Sequence, residues 1–260
     1  PLAADNKNMV AHPPGQSPLQ GGTTGAVFLI RLFSILLGTA TTYVTFRLGA
    51  ALYPRAPAVG LLAAAIVAFN PMVLFINASV NNDNLLMLLS ATALWLMVRD
   101  VQSQQAGLRG RQTLLLGVVL GLASLTKVSG VLLLPIAALA VTFGAWRARS
   151  WRTWLMRGSL LIAVVAAIAG WWYLRNLRLY GDLTGVSHML LPAIRRDFSV
   201  DRWLAGLPGE LAGLWYSSWG LFGWFTVMLP GWVYGAISVA AAGGSLGLAR
   251  AARARATWLD

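Results

Sequence analysis

The sequence predicts an all-α, polytopic transmembrane helical bundle with about seven spans. Three observations lead there. Apolar residues make up 57% of the chain and charged residues only 11%, against roughly a quarter charged in ordinary soluble domains. The apolar runs are long and lack strict alternation, which favours helices over the strands of a closed barrel. In lipid, backbone N–H and C=O groups must pair within the chain, and continuous helices satisfy that requirement.

Seven apolar stretches can be read, at 25–52, 57–76, 85–98, 113–125, 128–146, 158–174 and 225–249. The third and fourth fall short of the roughly 20 residues that cross a bilayer perpendicularly. The organisation expected is residues 1–24 as an extracytoplasmic loop remnant and 25–174 as the first six transmembrane helices. Residues 175–224 form an extracytoplasmic loop with an interfacial helix, and 225–260 hold the last span and a basic cytoplasmic tail. The interfacial helix is placed at Val200–Trp219, where Trp203, Trp215 and Trp219 punctuate an amphipathic stretch.

Charge gives the orientation. Arg47, Arg55, Arg99, Arg109, Arg111, Arg147, Arg149, Arg152, Arg157, Arg250, Arg253 and Arg255 share one side with only Asp100 and Asp260, a net +10. The other side carries a net +2 and six of the eight acids. The more basic side is expected to be cytoplasmic. Trp146, Trp151 and Trp154 mark the inner aromatic belt, and Trp171, Trp172 and Trp224 the outer one. An odd span count with an external N-terminus predicts at least one helix before Pro1. The net charge of +12 reflects this loop distribution rather than nucleic-acid binding. With no cysteine, disulfides and thiolate metal sites are excluded.

The polar residues then gather on the outer side. Asn77-Ala-Ser-Val-Asn81-Asn82-Asp83-Asn84 links two apolar spans. Such side chains near hydrocarbon must face water, protein or a ligand. Asp83 at a helix start reads either as a cap for free N–H groups or as a carboxylate that binds a divalent cation (Mg or Mn) or activates an acceptor hydroxyl. Asn77-Ala-Ser79 fits a glycosylation sequon, but a tight juxtamembrane turn is a poor acceptor. Lys127, in the short turn Leu125-Thr-Lys-Val-Ser-Gly130, is expected near Asp83 at the outer interface. It reads as a snorkelling anchor or as a phosphate-binding cation. Arg175 and Arg178 lie three apart, on one face of a continued helix, and guanidinium suits phosphate or lipid headgroups. His12 and His188 are lone histidines without metal-ligand spacing. Trp219, in Trp215-Tyr-Ser-Ser-Trp-Gly-Leu-Phe-Gly-Trp224, suits an aromatic belt or a wall for an isoprenoid chain or sugar ring.

Taken in order, these motifs resemble the C-type (GT-C) integral membrane glycosyltransferases, in particular bacterial relatives of protein O-mannosyltransferases and aminoarabinose transferases. The stretches that carry the likeness are His12-Pro-Pro, Asn70-Pro through Asn82-Asp83, Gly121-Leu-Ala-Ser-Leu-Thr-Lys127, Trp171-Trp through Tyr180-Gly-Asp182, and Trp219-Gly-Leu-Phe-Gly-Trp224 with Leu229-Pro. The resemblance implies a polyprenyl-phosphate sugar donor, an extracytoplasmic acceptor and a place in the bacterial cytoplasmic membrane. It implies the lipid bilayer as partner, and other membrane subunits if the scaffold is non-catalytic. Asp83 matches the family's second acidic motif, with Asn82 beside it. Lys127, Arg175 and Arg178 become candidates for the donor phosphate, and His12, Tyr180, Asp182, His188 and Trp219 for the substrate pocket. The family's catalytic base belongs to the first outer loop and is expected upstream of Pro1. The alternative is a non-catalytic subunit that uses a GT-C-like scaffold to bind lipid or partner helices. A transporter is disfavoured, because almost no ionisable residues are expected in mid-span.

Overall fold

A computed structural model describes residues 22–102, 109–186, 199–223 and 226–256. His12, His188, Trp224 and the loop remnant at 1–21 lie outside the described residues. The elements are α1 (Gly22–Leu52), α2 (Pro57–Phe69), α3 (Pro71–Asn77), α4 (Asp83–Gln102) and α5 (Arg109–Thr126). A 3-10 turn (Val128–Leu132) leads into α6 (Leu133–Arg147). Then come α7 (Trp151–Val165), a π-helical turn (Ala166–Gly170), α8 (Trp171–Tyr180) and α9 (Val200–Trp219). A two-stranded hairpin, β1 (Leu221–Phe222) and β2 (Val227–Met228), precedes α10 (Gly231–Ala256).

Five helical segments are long and apolar enough to cross a membrane, and the bent pair α2–α3 makes a sixth. The chain is a multi-pass, all-α membrane protein. Its outer faces are apolar: Leu29, Leu36, Leu61, Leu139 and Ile162 are each more than three-fifths exposed. Such surface is stable only against hydrocarbon.

The expected third span lengthens into α4, whereas the expected fourth falls on α5, a shorter apolar helix that is not among the crossing candidates, so six of the seven expected spans are met at most among the described residues. Helix α4 has 20 residues and α5 has 18. At α4 the ends are polar, but Asn84 and Asp100 are buried against protein, so apolarity underestimates that helix. The expected sixth span extends into one continuous helical path, Trp151–Tyr180. The expected last span starts later, because Val227–Met228 forms β2 and the helix begins only at Gly231.

The expected second span is broken by 61° between α2 and α3. Asn70 precedes Pro71, and a residue before proline is pushed out of the helical region. Its Oδ1 accepts hydrogen bonds from the backbone N–H of Met72 (2.8 Å) and Val73 (3.2 Å). Asn70 therefore caps α3, with Pro71 at the favoured first position.

The chain divides into two compact units, Pro1–Ala68 with Phe75–Leu190, and Phe69–Leu74 with Leu191–Asp260. In the first, α4 packs on α1, α5 and α6, while α7 packs on α5 and α6. The core is Leu89, Ala93, Leu96, Met97, Leu116, Val119, Leu120, Ala123, Leu133, Ala137, Val141 and Leu161. Gly117 and Gly121, one helical turn apart, let α5 approach α7 and the π turn closely. A Cβ at these positions would lie 2.9 Å from Val164 Cβ and 2.8 Å from Ile168 Cβ. Small residues serve this purpose where helices meet in lipid.

In the second unit, Asn70 Nδ2 donates to the Ser218 carbonyl (3.0 Å). Trp215 Nε1 donates to Ser238 Oγ (3.1 Å), joining α9 to α10. Tyr216 and Tyr234 meet edge to face, with ring centroids 4.8 Å apart.

Candidate functional site

Helices α4 and α5 run antiparallel, so the start of α4 and the end of α5 lie at one end of the first unit. There the Lys127 ammonium donates to Asp83 Oδ1 at 2.6 Å. The sequence places both in short polar turns, and the fold brings them together. The side chains are 43% and 28% exposed, so the pair sits at an open surface.

Its surroundings are built locally. The Asp83 backbone N–H donates to Asn81 Oδ1 (2.9 Å). Asn81 thus holds the Asp83 backbone at the helix start, and the Asp83 carboxylate meets Lys127. Asn82 Nδ2 donates to the Thr126 carbonyl (2.9 Å), tying the polar loop to the last residue of α5 beside Lys127. Asn84 is fully buried, and its Nδ2 donates to the Ser79 carbonyl (3.2 Å). Asn77 faces α1, where a Cβ on Gly38 would fall 2.3 Å from Asn77 Nδ2. That packing leaves no room for a glycan and agrees with discounting the sequon. The run of polar residues is therefore shared out: two side chains turn inward, two hold the loop, and Asp83 is presented.

Among the described residues, the donor set around Asp83 does not suit a divalent cation. Among the described residues, no three His, Cys, Asp or Glu side chains come together. An ammonium already neutralises Oδ1. No step is assigned to a metal.

Below this end lies an apolar slot of about 530 Å³. It runs between α6 (Leu134, Pro135, Ala138) and the α7–π–α8 path (Leu161, Val165, Ala169). Ser124 and Tyr173 also line it. The Tyr173 hydroxyl donates to the Ser124 carbonyl (2.8 Å), three residues before Lys127. The π turn is a local widening of the kind often found at functional positions.

Arg175 and Arg178 share one cleft on α8 with Trp171, Leu174 and Leu179, as their spacing predicts. Arg175 also stacks over the Trp172 ring at 5.2 Å. On α8 the bundle-facing side is marked by buried Asn176, and both arginines project from the exposed flank. The three expected phosphate ligands thus form two sets: Lys127 with Asp83, and Arg175 with Arg178.

Tyr180 ends α8, and Gly181 follows in a left-handed conformation (φ 65°) as its C-terminal cap. Asp182 Oδ1 accepts from the Thr184 N–H and hydroxyl, each at 3.0 Å, so it organises this turn. Trp219 lies in the second unit, edge to face with Trp215 at 5.6 Å.

One polar group was missed by sequence reasoning. Arg157 Nη2 donates to Asp100 Oδ2 at 2.6 Å, and Arg157 Nε donates to Thr113 Oγ1 at 2.9 Å. Both charged residues are 5% exposed. Read as loop charges, they are in fact an interior pair joining α4, α5 and α7. The signal was present: Leu89, Ala93, Leu96 and Asp100 are all buried on α4, at helical spacing that puts Asp100 on the core face.

The first unit thus carries a carboxylate–ammonium pair at one end and an apolar slot beside it, in a multi-pass helical membrane protein. The sequence model of the dolichyl-phosphate-mannose-protein mannosyltransferase family matches residues 23–173, more than half of the chain. The chain belongs to this family. Asp83 and Lys127 lie inside the matched segment; Arg175, Arg178, Tyr180, Asp182 and Trp219 lie beyond it. No curated protein and no solved structure matches the chain.

Proposed function

We propose that the chain transfers a sugar from a polyprenyl-phosphate donor to an acceptor hydroxyl at the extracytoplasmic face, with Lys127 and Asp83 at the reacting end. The family description points to mannose as the first sugar to try. The observation that carries the reading is the exposed Asp83–Lys127 pair, held by Asn81 and Asn82 at the end of the bundle.

A lysine ammonium has three donors. One serves Asp83, leaving two for oxygens of the donor phosphate. The apolar slot offers a place for the first isoprene units, with its Ser124 end next to Lys127 in the chain. In the transfer, the acceptor oxygen forms a bond to the anomeric carbon. The bond from that carbon to the phosphate oxygen breaks, and its electron pair leaves with the lipid phosphate. Asp83 orients the acceptor O–H by accepting its hydrogen bond. As that bond forms, the acceptor proton passes to the Asp83 carboxylate. Lys127 stabilises the charge that grows on the phosphate, so its contact strengthens in the transition state.

The test is sugar transfer from a radiolabelled polyprenyl-phosphate mannose by the full-length protein in proteoliposomes. Asp83→Asn is expected to lower turnover by at least about 100-fold while the protein elutes as the parent does. Normal turnover in that variant removes Asp83 from the reaction.

A further inference from the structure

The α6–α7 turn lies at the opposite end of the first unit from Asp83 and Lys127, since α6 starts beside the end of α5 and runs away from it. At this turn an open cleft of about 810 Å³ is lined by Thr142, Trp146, Arg147, Arg149, Ser150, Trp151 and Trp154. Its architecture is specific. Arg149 has φ 47°, the one left-handed non-glycine residue among those described. Glycine would adopt that conformation without cost, so strain is accepted here in exchange for a guanidinium.

The turn is closed by two backbone bonds, from Arg149 N–H to the Trp146 carbonyl (3.0 Å) and from Ser150 N–H to the Ala145 carbonyl (3.2 Å). Trp154 is fixed across the turn by its Nε1 donating to Thr142 Oγ1 (3.0 Å). Trp146 and Trp151 stand at the rim, 72% and 70% exposed. Among the described residues, neither Arg147 nor Arg149 is paired with a carboxylate. The turn joins two segments long and apolar enough to cross a membrane, Val128–Arg147 and Trp151–Tyr180. The cleft therefore opens at the level of lipid headgroups.

We propose that this cleft is a binding site for an anionic glycerophospholipid of the adjoining leaflet. Arg147 and Arg149 hold the headgroup phosphate, and the three tryptophans pack on the glycerol and upper acyl region. Two guanidiniums without a carboxylate partner among the described residues, one of them over the Phe143 ring, complement an anion, and guanidinium binds phosphate through paired N–H donors. Indole rings favour the boundary between acyl chains and water. The occupant is a lipid rather than a free anion, because the lining between the cations is aromatic and meets hydrocarbon.

The experiment uses the full chain in micelles doped with equal palmitoyl-oleoyl phosphatidylglycerol and phosphatidylcholine, with bound lipid counted by native mass spectrometry. The parent is expected to retain phosphatidylglycerol preferentially. The double variant Arg147→Gln/Arg149→Gly keeps the left-handed turn and removes both cations. It is expected to lose about 30-fold in relative affinity for phosphatidylglycerol, about fivefold for each cation. The control Arg99→Gln/Arg111→Gln removes the same charge at the same end of the bundle and is expected to change it less than about threefold. If the double variant fails to fold, Arg147→Gln alone is read, with about a fivefold loss expected. Equal losses in test and control, or no preference in the parent, overturn the proposal.

Discussion

Removing one partner of the Asp100–Arg157 pair should damage the bundle far more than removing both. Arg157 is 5% exposed, its Nη2 is 2.6 Å from Asp100 Oδ2, and its Nε is 2.9 Å from Thr113 Oγ1. Asp100→Ala leaves a guanidinium in the interior with only the threonine hydroxyl as partner. Breaking a buried pair in this way costs about 3–5 kcal/mol. Arg157→Met leaves a buried carboxylate whose Oδ1 already lacks a hydrogen-bond partner, and the expected cost is again about 3–5 kcal/mol. The double variant Asp100→Ala/Arg157→Met strands no charge and should cost about 1–2 kcal/mol, chiefly for the volume lost at Asp100. The assay is reversible unfolding of the full chain in mixed micelles as the denaturing detergent fraction rises, read by circular dichroism. The double-mutant cycle should return a coupling energy of at least about 3 kcal/mol. A coupling below about 0.5 kcal/mol would mean that the two groups do not depend on each other, and the reasoning fails.

Other expectations follow from the same geometry. Lys127→Gln should lower kcat/KM for the donor about 10- to 100-fold, the equivalent of a charge-assisted hydrogen bond worth about 1.5–3 kcal/mol; an unchanged kcat/KM in initial-rate kinetics argues for a purely anchoring lysine. Gly121→Val should destabilise by about 1–3 kcal/mol, because a Cβ there meets Ile168 at 2.8 Å; the same unfolding assay checks it, and parental stability in that variant would mean that the helices do not approach so closely.

Much of the bundle was legible in the apolar runs, because lipid-facing helices must advertise themselves in composition. The pairing of Asp83 with Lys127 was legible too, since two short turns at the same end of antiparallel helices leave their polar side chains few places to go. What was hidden follows one rule: a polar residue was read as loop or water-facing when it was in fact satisfied inside protein. Asp100 and Arg157 were counted as loop charges for that reason, and α4 was cut short at Asn84 and Asp100. Nothing in the local sequence of Asp83 says that Asn81, two residues earlier, holds its N–H. The π turn at Ala166–Gly170 has no breaker residue to announce it, and it shows only in the packing of α7 and of the turn itself on α5. The spacing of Arg175 and Arg178 gave their shared face correctly but not its direction. That depends on Asn176 and Tyr173 turning inward.

The most direct measurement is a structure of the full-length protein with a polyprenyl-phosphate sugar bound. The account predicts the lipid phosphate within hydrogen-bonding distance of Lys127 Nζ, the first isoprene units in the slot lined by Pro135, Val165 and Tyr173, and the sugar beside Asp83. A phosphate held instead by Arg175 and Arg178 on the outer flank of α8, with Lys127 still closed on Asp83 and the slot empty, would contradict it.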